Sequence, residues 1–224
     1  MIFPVGDDQV RGGKFPIVSY LLIALNTLVF IYEILLPASS LESFMMSFGS
    51  IPVNIVHGQE LHTLLTSMFL HGGWMHLIGN MVFLWVFADN IEAVIGSGKF
   101  ALFYLIGGVI AALAHAFTAT YSVVPMVGAS GAIAAVLGAY IIMFPGSQVK
   151  LFIIIFLRTA KVPALFFLGF WIIQQLFNGY ATLSPDAAES SSVAWWAHIG
   201  GFAFGVIMGF IYRPLLKPYR QYAD

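Results

Sequence analysis

Residues 193–212 read VAWWAHIGGFAFGVIMGFIY, and Arg213 follows. The run carries no formal charge and is long enough to cross about 30 Å of hydrocarbon at about 1.5 Å per residue. Inside it, His198-x-x-Gly201-x-x-x-Gly205-x-x-x-Gly209 places small residues four apart. Such a stripe lets a second helix backbone approach closely. A histidine near one end of a lipid-embedded helix is costly, and so it is a candidate for function by default. This stretch reads as a membrane span built to pack tightly on another helix.

The rest of the chain agrees. Sixty per cent of its 224 residues are apolar, 8% are charged, and mean hydropathy is +0.92. A soluble domain has about 25% charged residues, so this chain lacks the polar surface for a water-soluble globule. Disorder needs the opposite composition. The net charge of −1 offers no basic field for nucleic acid. With no cysteine there can be no disulfide, thiolate metal site or cysteine nucleophile. Neither a metal nor a cofactor is expected.

Six apolar runs, 16–36, 73–95, 99–119, 128–145, 162–180 and 193–212, predict an all-α, polytopic, six-transmembrane-helix bundle. Pro16–Leu36 is of full span length and reads as an uncleaved first span rather than a signal peptide. Residues 38–62 are too interrupted to span and predict an interfacial loop with short amphipathic helices. Val149–Leu157 is too short to cross as a helix and is expected at the surface. The divisions expected are a segment 1–15, a six-span domain 16–214 and a tail 215–224. Arg11, Lys14, Lys99, Lys150, Arg158, Lys161, Arg213, Lys217 and Arg220 are all nine of the basic residues, and all fall on one side of this topology. The positive-inside rule then puts both termini in the cytoplasm. The expected setting is a multi-pass protein of a prokaryotic inner membrane.

Spans two, four and six run in the same direction. His76 lies 16 residues before Glu92, Ser130 lies 15 before Pro145, and His198 lies 15 before Arg213. Each is thus about 22–24 Å above the inner boundary and about 6–8 Å below the outer one. Histidine can take the proton of a serine hydroxyl and make it nucleophilic. Ser130 opens span four, where backbone N–H groups are free. His76 and Asn80 share a helix face and could supply side-chain donors to an oxyanion. Gly128 and Gly131 beside the serine would let a substrate backbone come near. No Asp or Glu lies at this depth near His198, so a Ser–His dyad is expected, with no third member. Taken alone, each feature also fits packing: a membrane serine bonding its own helix, or His71, His76 and Asn80 as a polar cluster. The roles of His71 and His115 stay open, with a structural role favoured for His115.

Three motifs carry a resemblance. They are His71-Gly72-Gly73-Trp74-Met75-His76-Leu77-Ile78-Gly79-Asn80, then Gly128-Ala129-Ser130-Gly131, then Ala197-His198-Ile199-Gly200-Gly201-Phe202-Ala203-Phe204-Gly205. In this order the chain, from 16 to 214, resembles the rhomboid intramembrane serine proteases. The resemblance implies Ser130 as nucleophile, His198 as general base, and His76, Asn80 and the Ser130 N–H as oxyanion donors. It implies a water-filled cavity open to the outside, a lipid bilayer as medium, and transmembrane proteins as substrates. Glu92 matches an acidic residue that ties helices together in the family. Two positions depart: His62-Thr63 stand where many members have Trp-Arg, and Ala134 stands where some have a tyrosine stacked on the histidine. A catalytically inactive rhomboid-like binder of membrane helices and a small transporter are the alternatives. The outer loop 181–192 and span five are expected to be the movers.

Overall fold

A computed structural model describes residues 2–8, 10, 13–183 and 193–222. The expectation for loop 184–192, with Asp186 and Glu189, and that for Arg11, lie outside the described residues. The long helices are α1 (Ile17–Leu35), α5 (Trp74–Ile95), α6 (Ser97–Thr118), α7 (Ser130–Met143), α8 (Ala164–Ala181) and α9 (Trp195–Tyr212). Three short ones, α2 (Ala38–Phe48), α3 (Pro52–Val56) and α4 (Thr63–Thr66), fill the segment between α1 and α5. Five of the six long helices are long and apolar enough to cross a membrane. The protein is a multi-pass membrane bundle.

The sixth, α7, has only 14 residues, about 21 Å at 1.5 Å each. It is the core of the molecule: every residue from Gly131 to Tyr140 is buried. A helix apolar all round must be enclosed by other helices, and α5, α6, α8 and α9 enclose it. Its late start puts Ser130 at its first turn, below a stretch of irregular backbone. Such backbone is tolerated at membrane depth where it lines a cavity or is buried in protein.

Small residues set the contact between α7 and α9. A Cβ built on Gly201 would sit 2.2 Å from the Gly131 carbonyl oxygen, and one on Gly205 would sit 1.9 Å from that of Ala135. One on Gly209 would reach 3.0 Å from Ala139. The stripe on α7 is therefore Gly131–Ala135–Ala139, joined by Gly138 against Phe202. In the sequence the small residues four apart read Ser130-x-x-x-Ala134-x-x-x-Gly138, and the seam is offset from that line by one residue. That turn of the helix frees Ser130 to face the cavity rather than the seam.

The bundle is not wholly helical. Strands β1 (Ile2–Gly6), β2 (Gln148–Ile153) and β3 (Arg158–Pro163) form an antiparallel sheet in that order, with Lys150 opposite Lys161. Val149 and Leu151 point into the core while Lys150 between them is exposed. Val149–Leu157 is thus part of a hairpin with an inward face, and the start of the chain supplies the third strand. Asp7, just after β1, is buried and accepts hydrogen bonds from Asn90 of α5 and Tyr140 of α7. At the other end Leu216, beyond the expected boundary at 214, is also in the core.

Glu92 is fully buried at the end of α5. Its carboxylate accepts from the Val18 and Ser19 N–H groups at 2.8 and 2.7 Å, and from the Ser19 and Ser97 hydroxyls. It thereby caps the positive end of α1 and fastens α1, α5 and α6 together.

Candidate active site

Residues from five helices line one cavity of about 1380 Å³, among them His76 and Asn80 of α5, His115 of α6, Ser130 of α7, Trp171 of α8 and His198 of α9. It lies toward the end of the bundle opposite the basic residues, bordered by residues 120–127, 182–183 and 193–196.

The Ser130 hydroxyl and His198 Nε2 are 2.8 Å apart. The α7–α9 seam makes this pairing possible, since Gly201 lies one turn from His198 and meets Gly131. His198 Nδ1 is 2.8 Å from Gln175 Oε1. Trp171 lies against the imidazole at 5.8 Å between ring centres and Trp195 meets it edge-on at 6.2 Å. These contacts replace the tyrosine that Ala134 does not supply. Gln175, on α8, went unforeseen because the expectation considered only Asp and Glu as partners for the histidine.

The oxyanion candidates converge beside Ser130. Gly128 has φ +120°, and a Cβ there would lie 2.6 Å from His76 Nε2 and 3.5 Å from Asn80 Nδ2. The space next to the serine is therefore kept open by a glycine and lined by two side-chain donors. Gly72 N–H donates to His76 Nδ1 at 3.4 Å. With Nδ1 an acceptor, the ring proton is on Nε2, the atom that faces Gly128. Among the described residues, Asn80 Nδ2 is buried without a hydrogen-bond partner. A buried orphan donor is costly, and one aimed at a reaction centre is poised for charge that develops there. The helix start at Ser130 adds free backbone N–H groups.

His71 takes no part in this geometry. It packs between Phe30 and His76 at 6.4 and 5.2 Å, and burial, with His76 beside it, pushes its imidazole down to about 4. The His71 N–H donates to the buried Glu33 carboxylate of α1 at 3.2 Å. Glu33 is the second residue that went unforeseen, although an acid inside a span is a signal in itself. His115 of α6 lines the cavity wall. At the departure His62-Thr63, the loop is held otherwise: His62 Nε2 meets the Ser47 carbonyl at 3.3 Å and the Thr66 hydroxyl donates to that of Phe48 at 2.8 Å.

A family model described as a rhomboid domain matches residues 58–215. The chain belongs to the rhomboid family. It is 31% identical over 195 residues to the rhomboid protease GluP of Bacillus subtilis, covering 87% of this chain and 34% of that protein. It is 29% identical over 163 residues to the mitochondrial rhomboid protein 1 of Saccharomyces cerevisiae, covering 71% and 44%. It is 28% identical over 180 residues to the RHOMBOID-like protein 5 of Arabidopsis thaliana, covering 80% and 52%. This rhomboid thus spans about a third to a half of the length of these relatives.

Proposed function

We propose that this rhomboid is an intramembrane serine endopeptidase. It would hydrolyse peptide bonds of membrane-anchored proteins in or near their transmembrane segment. The single observation that carries the reading is the 2.8 Å contact between the Ser130 hydroxyl and His198 Nε2 beside a cavity. His198 takes the serine proton as Oγ attacks the scissile carbonyl, then gives it to the leaving amine. His76 Nε2–H, Asn80 Nδ2–H and the Ser130 N–H hold the oxyanion, with Gly128 leaving room for it. Acylated Ser130 is released by water from the cavity. The working unit is the six-span domain of residues 16–214 with β1, Asp7 and Leu216 packed onto it, in a prokaryotic inner membrane with both termini cytoplasmic, an orientation supported by the one-sided basic residues.

Purified protein is treated with a fluorophosphonate and, separately, offered a reconstituted single-span substrate. The expected result is labelling at Ser130 and a cut in or near the span, both lost in Ser130→Ala and His198→Ala at unchanged melting temperature. Cleavage by Ser130→Ala would sink the mechanism. An unlabelled wild type that still retains membrane helices would point to an inactive binding protein.

A further inference from the structure

We infer that Gln175 is the positioning residue of this site, holding His198 in the one tautomer that can accept the serine proton. The inference deepens the protease reading and rests on it. Gln175 is 3% exposed, and its Oε1 is 2.8 Å from His198 Nδ1. The other end of the same amide is also committed: Gln175 Nε2 donates to the Trp171 carbonyl, one turn earlier on α8, at 3.2 Å. Rotating the amide by half a turn would set its oxygen against that carbonyl and its NH2 against the ring. The backbone of α8 therefore fixes which atom His198 meets. An amide oxygen can only accept, so Nδ1 carries the proton. The Nε2 lone pair is left facing the Ser130 hydroxyl at 2.8 Å.

A triad carboxylate orients histidine in the same way, and an amide that presents its NH2 group instead gives the wrong tautomer. Here the amide presents its oxygen. A neutral group suits the depth of the site, because a carboxylate buried in a membrane helix needs its own partners. Gln175 supplies orientation without a buried net charge. Trp171, one turn away on α8, also packs on the ring. The attitude of His198 on α9 is thus governed largely by a different helix.

The test uses the full chain, 15N-labelled at histidine, in lipid nanodiscs, with the His198 signals assigned by difference from His198→Ala. The nitrogen shifts report which ring atom is protonated and need no substrate. Wild type is expected to show the Nδ1–H form. Gln175→Met, similar in length but with no acceptor oxygen, is expected to lose that form. Its kcat should fall about 10²–10⁴-fold while KM stays within about twofold. Gln175→Glu, which keeps an acceptor, should restore the Nδ1–H form and most of kcat. A wild-type His198 protonated at Nε2 overturns the proposal, and this result does not depend on any variant folding. So does a folded Gln175→Met with the wild-type signal and turnover, or a Gln175→Glu no better than Gln175→Met. Should the wild type cleave nothing, the protease reading fails, while the nitrogen shifts still decide the role of Gln175.

Discussion

At the scale of single residues, the pocket beside Ser130 is defined by what is absent as much as by what is present. Gly128 lacks a Cβ at a place where one would lie 2.6 Å from His76 Nε2. Its φ of +120° also strains any other residue. Gly128→Ala is therefore expected to close the oxyanion pocket and to reduce cleavage at least about 10²-fold, the loss typical of a missing donor. Asn80→Ala leaves the room and removes one donor. It should lower kcat about 10²–10³-fold with little change in KM. Steady-state cleavage of a fluorescent single-span substrate separates the two, because Gly128→Ala also obstructs the substrate carbonyl and raises KM. An Asn80→Ala enzyme with unchanged kcat would make Asn80 a packing residue. The convergence of Ser130, His198 and His76 was legible in the sequence because shared depth is a matter of counting along helices, and Asn80 because it lies one turn from His76 on the same helix face. Gln175 was not, since only Asp and Glu were weighed as partners for the histidine, and a neutral amide on another helix carries no charge signal. Only tertiary packing brings those atoms together.

At the scale of elements, the seam between α7 and α9 converts composition into geometry. The spacing of glycines on α9 was legible. Which face of α7 receives them was not, because α7 is apolar on every side and its sequence marks no preferred face. Gly201→Val would drive a branched side chain into the Gly131 carbonyl, where even a Cβ would be 2.2 Å away. Overpacking of this kind costs about 1–3 kcal/mol. The helices must separate, and a shift of about 1 Å at the reacting atoms can cost about 10²-fold in rate. The variant should lose melting temperature and activity together, although it touches no substrate. Phe204→Leu is the control. Phe204 lies on the other seam, stacked on Phe103 of α6 at 5.8 Å. It should cost less than about 1.5 kcal/mol and leave turnover close to wild type. If Gly201→Val matched wild type in both measurements, the seam would not set the Ser130–His198 distance.

At the scale of the whole molecule, two ends of different character emerge. One holds the cavity. The other holds the sheet, the Asp7–Asn90–Tyr140 cluster and Glu92, which knit the spans together. The sheet was not legible, because β2 reads as an apolar run too short to span, and β1 pairs with it from the far end of the sequence. Glu92→Ala would leave the buried Ser19 donors and the part-buried Val18 N–H without an acceptor, at about 1–3 kcal/mol for each unsatisfied buried group. The result should be a sharply lower melting temperature.

Orientation is the remaining property of the whole. Of the described basic residues, Lys14, Lys99, Lys150, Arg158, Lys161, Arg213 and Lys217 lie at helix ends, beyond them or in the sheet, and none of these lines the cavity. A chain with no native cysteine allows a direct reading of side. Gln59 is exposed between α3 and α4, and Ile155, 78% exposed, is in the turn between β2 and β3. Under the positive-inside rule the hairpin faces the cytoplasm and the α3–α4 loop faces out. Gln59→Cys should react with a membrane-impermeant maleimide on intact spheroplasts. Ile155→Cys should react only after the membrane is opened. The reverse pattern would invert the protein and put the cavity on the cytoplasmic side. Under the protease reading, substrates would then have to present the opposite end of their span to Ser130, so the labelling pattern decides which flank of a substrate helix the cavity can reach.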